Sequence, residues 1–377
     1  MPEDPQDERF MQRALHLAAE TAALASPNPQ VGCVLVQQNE VIAEGAHLYD
    51  HRDHAEIVAL KRAGESARGA TAYVTLEPCS HHGRTGPCAD ALIAAGIHRV
   101  VIATEDPNPL VSGQGIAKLR AAGIDVATGT LQQPARDLIE AFGHFIRTKT
   151  PFVTLKAALS VDGYLAPPPG TRSSAEPYWL TGPLARAEVH RLRHGSDAVL
   201  TGIGTVLADA PLLTDRTNLP RRRPLLRVVL DTQLHIPLTS KLVESATPDS
   251  LLLLCGPTAS PQKIAALQQK NAAIQIIPEH AGRLSLPDVL RTLAERNILS
   301  LLLECGSQLN GSFLHQNLVD KAILFYGEAE LGKQAIPFAG GVASPALFEQ
   351  SLSRLTRTTF GPDTCVTGYL RDPWPSL

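Results

Sequence analysis

Apolar residues recur at helical spacing from about Phe10 to Leu24, and "SPNPQ" then breaks the helix ahead of "VGCVLV", a run rich in β-branched residues. The pattern predicts helix, turn, strand. A second strand, "EVIAEGAH", leads to a helix that opens at His54. "TAYVTLEP" is another apolar strand, a helix follows from about Cys88 to Ala95, and "RVVIAT" is a further strand. After "DPNPLVSGQG" come a helix and the short strand "IDVATG", and "QPARDLIEAFGHFIRTKTP" reads as a helix running into a connection. Such alternation implies a sheet covered by helices. The boundary falls near Thr148 to Pro151, giving domains 1–148 and 149–377.

The alternation restarts with "FVTLKAALSVDG", pauses at the proline-rich insert "APPPGTRSSAEP", and continues through a helix around "PLARAEVHRLRHG". Strand candidates follow at "DAVLTG", "LLRVVLD", "SLLLLCG", "IQIIPE", "SLLLECG", "KAILFYGE" and "CVTGYL". Seven apolar strands with helices between them argue for a second α/β sheet domain. The insert reads as a surface loop, and no internal repeat is visible.

Composition narrows the function classes. A chain of 377 residues with 44% hydrophobic content can bury two cores. A net charge of -3 and a pI near 6.5 provide no basic field to gather phosphate backbones, so no nucleic-acid partner is expected. The N-terminus lacks the basic start and apolar core of a secretory signal. No apolar run reaches the roughly 18–20 residues that span a bilayer, so a cytoplasmic protein without membrane association is expected. Of six cysteines, Cys79 and Cys88 cluster; Cys33, Cys255, Cys305 and Cys365 stand alone and read as small buried hydrophobes.

The clustered pair carries the chemistry. A catalytic zinc takes three protein ligands and leaves the fourth position to water. His54, Cys79 and Cys88 give that count, and Glu56 lies two residues after the histidine. A structural clip would recruit a fourth ligand from His81 or His82 and leave Glu56 without a task.

"HAE" at 54–56 and "EPC" at 77–79, each preceded by a strand, resemble the zinc deaminase superfamily, which implies that Glu56 is a non-ligand catalytic proton carrier. Both cysteines are expected near helix starts, where the dipole favours thiolate. The superfamily commonly places two residues between its cysteines; here there are eight. The loop "CSHHGRTGPC", with "PNPQVGCVLV" upstream and "DPNPLVSGQG" downstream, is similar to the pyrimidine deaminase domain of the bifunctional deaminase-reductase family of riboflavin biosynthesis. The resemblance implies a cytidine-deaminase-like three-layer α/β/α domain with Zn2+. It also implies substrate contacts from Asn28 and His47 to the pyrimidine ring, from His81, Asp106 and Asn108, and from Arg84, suited to a phosphate. The plainer readings are turn residues for Asn28 and Asn108, each before a proline, and a solvated charge for Arg84.

In the second half "TGIGTV" supplies Gly202 and Gly204 but not the full dinucleotide fingerprint, and a glycine pair after a strand is often only a turn. The ordered set "LKAALSVDGYLA", "WLTG", "RLRHGSDAVLTGIGTVLADAPLLTDR", "RVVLD" and "LLLECGSQLNGSFL" resembles the reductase domain of the same family. That likeness implies a dihydrofolate-reductase-like α/β domain using NADPH. By position, Leu159, Trp179, Thr205, Asp209, Thr232 and residues 306–312, including Gly306 and Leu309, fall at cofactor contacts. Arg193, Leu213, Arg216 and Glu304 fall at substrate contacts, with the two arginines as a phosphate clamp. Asp209 is also expected beside the reacting carbon as a catalytic carboxylate. Lys156 and Asp162 belong to the matching motif, with an ordinary structural role equally open.

Three departures from the family pattern stand out: Pro177 where a serine is common, Cys305 where a glycine is common, and "GEAELGKQA" at 327–335 in place of a proline-lysine pattern. The implied substrate is a small molecule, a pyrimidine ribose phosphate, and a homo-oligomer, dimer or tetramer, is expected. Two competing hypotheses are an active deaminase with a degenerate reductase domain and a zinc-stabilised nucleic-acid binding or editing module.

Overall fold

Two units divide the chain, Met1–Lys149 and Thr150–Leu377. The computed structural model describes residues 4–81, 86–109, 111–168, 170–171, 178–342 and 344–374. Arg84, Pro177 and part of the proline-rich insert lie outside the described residues.

The first unit opens with α1 (Pro5–Ala19), where Asp4 caps the Gln6 amide at 2.9 Å and Pro5 takes a first-turn position that needs no amide donor. The helix ends earlier than the apolar spacing predicts. Beyond Glu20 the chain makes tight turns instead, with the Leu24 and Ala25 amides both bonded to the Thr21 carbonyl. Strands β1 (Gly32–Gln37) and β2 (Glu40–Ala46) form an antiparallel hairpin. Helix α2 (Ala55–Ala63), β3 (Thr71–Val74), α3 (Cys88–Ala94), β4 (Arg99–Ile102), α4 (Gln114–Ala121) and β5 (Asp125–Thr128) follow. The sheet order is β2-β1-β3-β4-β5, with β3, β4 and β5 parallel. The single helix expected after β5 is broken at Ile139 into α5 (Gln132–Leu138) and α6 (Glu140–Thr148). Helix α1 covers one face of the sheet and α2 the other, so the unit is a three-layer α/β/α fold.

In the second unit, β6 (Phe152–Leu159), β7 (Tyr164–Ala166), α7 (Pro183–His194), β8 (Ala198–Gly202), α8 (Ile203–Asp209), β9 (Leu226–Leu230), α9 (Lys241–Glu244), β10 (Leu251–Cys255), α10 (Pro261–Gln268) and β11 (Ala273–Ile276) come first. Then follow β12 (Glu279–His280), β13 (Arg283–Leu284), α11 (Leu286–Glu295), β14 (Ser300–Leu303), α12 (Ser307–His315), β15 (Lys321–Tyr326), β16 (Ile336–Pro337), α13 (Pro345–Glu349), β17 (Ser353–Phe360) and β18 (Asp363–Tyr369). Nine strands build one sheet in the order β11-β10-β9-β8-β14-β6-β15-β18-β17, parallel up to β15 and antiparallel over the last two pairs.

Its central strands are apolar on both faces: Ala198 and Leu200 enter one core and Val199 the other, as expected of parallel strands covered on both sides. Two features differ from the sequence reading. "TGIGTV" is no turn; Gly202 is the N-cap of α8. Strand β17 has no counterpart among the expected strands because it carries no apolar face: seven of its eight residues are exposed, as an edge strand permits. No helix among the described residues is long and apolar enough to cross a membrane.

Candidate active sites

The metal centre arises where three elements of the first unit begin or end. His54 is the N-cap of α2 but does not use its ring to cap it, so the imidazole is left for other work. Helix α2 lies directly on β2: a Cβ on Gly45 would fall 2.1 Å from the Ala55 carbonyl oxygen, so only glycine admits this approach. Cys88 is the first residue of α3. Cys79 is not at a helix start, contrary to the sequence expectation; it lies in the loop after β3. The α3 terminus still serves it, because the Cys88 amide donates to Cys79 Sγ at 3.3 Å.

The three donor atoms lie within 4.8 Å of one another. His54 Nδ1 is 3.6 Å from Cys79 Sγ and 3.2 Å from Cys88 Sγ. Zinc–sulfur and zinc–nitrogen bond lengths in a tetrahedral shell put such donors about 3.5–3.8 Å apart, so the set fits zinc with little adjustment. Among the described residues no fourth His, Cys, Asp or Glu joins the group, and His81 is exposed. Three ligands and an open position describe a catalytic rather than a structural site. The hydrogen bond from Cys88, then the His54 ring and the Cys88 amide, hold the Cys79 thiol well below its ordinary range. Glu56, one helical step inside α2, is 3% exposed, and burial pushes its carboxyl up to about 7 although the nearby His54 pulls the other way. A carboxyl there can both take and return a proton near neutrality.

The Asn28 and His47 side chains meet. His47 Nδ1 donates to the Asp53 carbonyl at 2.9 Å, which leaves Nε2 to accept from Asn28 Nδ2 at 3.0 Å. The His47 and His54 rings stand edge to face with centroids 5.3 Å apart, so this pair adjoins the candidate metal donors. Burial raises the Asp106 carboxyl, and its Oδ1 accepts the Asn108 amide at 2.8 Å.

The second unit contains a cavity of about 1460 Å³ at the carboxyl ends of the parallel strands. Ordinary ligand pockets measure about 300–1,000 Å³, so this one has room for a dinucleotide and a substrate together. Trp179, Arg193, Thr205, Asp209, Leu213, Arg216, Thr232, Glu304, Gly306 and Leu309 all line it. Leu159 does not: its side chain is wholly buried in the sheet core, leaving only its backbone for any contact, and Ala157 and Ala158 line the cavity instead. Helix α12 opens at Gly306 immediately after β14, so its free amides face the cavity, the usual seat of a pyrophosphate. Trp179 is 64% exposed and carries the Arg186 guanidinium 4.9 Å over its ring.

The two arginines of the expected clamp both line the cavity but differ in their contacts. Arg193 grips Glu304 with two bonds, Nε to Oε1 at 2.6 Å and Nη2 to Oε2 at 3.0 Å, and gives Nη1 to the Thr214 carbonyl at 3.1 Å. Three of its five N–H donors are committed, whereas Arg216 is exposed at the cavity. Lys156 Nζ lies 3.6 Å from Glu304 Oε2, which makes it part of the cluster rather than a bystander. Burial would raise the Glu304 carboxyl, but the Arg193 and Lys156 charges hold it down to about 2. Asp162, by contrast, is structural: it accepts from Ser160 Oγ and from the Leu331 and Gly332 amides. The Cys305 thiol donates to Asn310 Oδ1 at 3.0 Å and leaves the Gly306 backbone on the cavity wall. His190 also lines the cavity. The sequence reading passed over it, although it sits one turn before Arg193, on the same helical face.

Known proteins match both units of the chain. The family model of the RibD C-terminal domain matches residues 151–366, and that of the cytidine and deoxycytidylate deaminase zinc-binding region matches residues 4–104. The riboflavin biosynthesis protein RibD of Escherichia coli is 39% identical over 379 residues, covering 96% of this chain and 98% of its own. That of Bacillus amyloliquefaciens is 38% identical, covering 97% of each. Among solved structures, Acinetobacter baumannii RibD superposes with a TM-score of 0.82 at 36% identity, covering 97% of this chain and 98% of that one. A diaminohydroxyphosphoribosylaminopyrimidine deaminase/5-amino-6-(5-phosphoribosylamino)uracil reductase from Thermotoga maritima superposes at 0.80 and 34%, with the same coverage. With relatives this similar over nearly its whole length, the chain belongs to the RibD family of riboflavin biosynthesis proteins.

Proposed function

We propose that this chain catalyses two successive steps of riboflavin biosynthesis. The first is hydrolytic deamination of 2,5-diamino-6-(5-phosphoribosylamino)pyrimidin-4(3H)-one to 5-amino-6-(5-phosphoribosylamino)uracil. The second is NADPH-dependent reduction of the ribosyl to the ribityl side chain. The observation that carries the reading is the three-ligand cluster of His54, Cys79 and Cys88 with the buried Glu56 beside it, in a chain whose other unit holds a dinucleotide-sized cavity.

Zinc held by those ligands supplies the Lewis acidity that makes water nucleophilic near neutral pH. Glu56 carries one proton of the attacking water to the ring nitrogen and then, as the tetrahedral carbon collapses to the carbonyl, the hydroxyl proton to the departing amine, which leaves as ammonia. Asn28 commits its Nδ2 to His47, so its Oδ1 remains to accept from the pyrimidine. His81, Asp106, Asn108 and Arg84 complete the substrate contacts. In the reductase cavity NADPH supplies the hydride for the anomeric carbon. Asp209 manages the proton there, Arg216 binds the phosphate, Leu213 packs on the substrate, and Arg193 holds Glu304 in place. Trp179, Thr205, Thr232, Gly306 and Leu309 hold the cofactor.

The deaminase occupies residues 1–148 and the reductase 149–377. The protein works in the cytoplasm as a homo-oligomer, a reading that light scattering of the purified chain checks. Purified protein given the pyrimidine phosphate, with and without NADPH, tests the whole scheme. Glu56→Ala abolishes ammonia release but spares reduction of supplied intermediate, and Asp209→Asn does the reverse. Loss of both activities in a folded Glu56→Ala variant contradicts the two-site assignment, and absence of NADPH oxidation in the wild type favours the degenerate-reductase alternative.

A further inference from the structure

Glu77 precedes Pro78 and the zinc ligand Cys79, and its side chain is 5% exposed. Its carboxylate accepts four backbone amides: Asp106 N at 3.1 Å and Gly113 N at 2.9 Å on Oε2, Gly115 N at 2.8 Å and Ile116 N at 3.2 Å on Oε1. The Glu77 amide in turn donates to the Thr104 carbonyl at 2.9 Å. Both oxygens are thus filled by one segment, the connection from β4 into the first turn of α4. The contact is close as well as polar: a Cβ on Gly115 would fall 2.0 Å from the Pro78 carbonyl oxygen and 3.2 Å from Glu77 Oε1. The bound segment carries Asp106 and Asn108, themselves linked through the Asn108 amide.

We propose that Glu77 is a positioning residue of the deaminase. It ties the segment bearing Asp106 and Asn108 to the segment bearing Cys79, so that substrate contacts and metal keep a fixed offset. The inference rests on the assignment of Asp106 and Asn108 as substrate contacts. A carboxylate suits the task because it is acceptor-only at both oxygens. An amide of the same shape turns an NH2 group toward two of the four donors and leaves them without an acceptor, although β3 and the zinc ligands are untouched.

The test is Glu77→Gln and Glu77→Asp in the full chain, with Asn108→Ala as reference. Glu77→Gln is expected to raise the deaminase KM about tenfold, the equivalent of roughly 1.4 kcal/mol, with a smaller fall in kcat. Zinc stays at the wild-type content, and reduction of supplied intermediate is unchanged. Hydrogen exchange at the Gly113, Gly115 and Ile116 amides accelerates while that of β4 does not. Glu77→Asp, which keeps the acceptors on a shorter stem, falls between wild type and Glu77→Gln in KM. If Asn108→Ala raises KM and Glu77→Gln does not, the positioning role is overturned. If Asn108→Ala also leaves KM unchanged, the substrate assignment is what fails. Zinc loss in step with activity in both Glu77 variants overturns the proposal in favour of a role in metal retention, and should Glu77→Gln not fold, the KM and exchange of Glu77→Asp decide.

Discussion

Gly311 lies in the middle of α12, where alanine ordinarily stabilises a helix by about 1 kcal/mol relative to glycine. Here the sign reverses. An alanine Cβ would sit 2.2 Å from the Gly340 carbonyl oxygen, more than 1 Å inside ordinary contact, and 2.9 Å from the Gly340 nitrogen, both of them backbone atoms that no rotamer change can move. That loop is also tied to α12 by Gly340 N to Ser307 O at 2.8 Å and by Asn310 Nδ2 to Phe338 O at 2.9 Å. Overpacking costs about 1–3 kcal/mol, and a shift of about 1 Å that breaks both bonds costs about 1 kcal/mol each. Against the helix-propensity gain, Gly311→Ala is expected to destabilise the second unit by about 3 kcal/mol. Both tryptophans of the chain, Trp179 and Trp374, belong to this unit, so urea unfolding followed by tryptophan fluorescence reports on it alone. Because Gly306 and Leu309 line the cavity, the NADPH KM should rise as well. Gly204→Ala in α8, where no atom lies within 4 Å of the added Cβ, provides the contrast and should cost no stability. A Gly311→Ala protein as stable as wild type would refute the reasoning, because the approach of helix and loop would then be soft.

Two further outcomes follow from the second unit. Arg216→Ala should raise the reductase KM for the phosphate-bearing substrate by about 10–100-fold, the range of a lost charge-assisted contact, with the NADPH KM unchanged; Arg193→Ala should act mainly on kcat by releasing Glu304, and equal effects on KM from both would restore the clamp. Burial raises the Asp320 carboxyl to about 6, above its ordinary 3.8, even though Arg371 lies 2.7 Å away. A raised carboxyl contributes stability that is complete below about pH 3.8 and lost as pH rises through about 6, so Asp320→Asn should gain about 3 kcal/mol on wild type between pH 4 and pH 7. Identical pH dependence of urea midpoints in the two proteins would count against it.

The candidate metal site was largely legible in the chain. His54, Glu56, Cys79 and Cys88 are held by local geometry, a helix N-cap, its first turn, a loop after a strand and a helix start, and each leaves a mark in the sequence. The same holds for the parallel strands, whose unbroken apolar runs report burial on both faces. Strand β17 was illegible because hydrophobic patterning reports burial, and an exposed edge strand is held by backbone pairing to β18. Helix α8 looked like a turn because a glycine pair is compatible with either, and only the packing against β8 decides.

By itself, then, the sequence marked the three candidate metal donors, the glutamate beside them, the two α/β units and the family. The partners of its charged side chains were decided by the tertiary structure, because residue type fixes what a group can bond to but not what lies within 3 Å of it. Arg193 is paired with Glu304 because folding brings the two together across 111 positions of chain. Glu77, an ordinary member of "EPC" in the sequence, acquired four amide partners because β3 and β4 pair in parallel, which sets the turn after β4 beside the loop after β3.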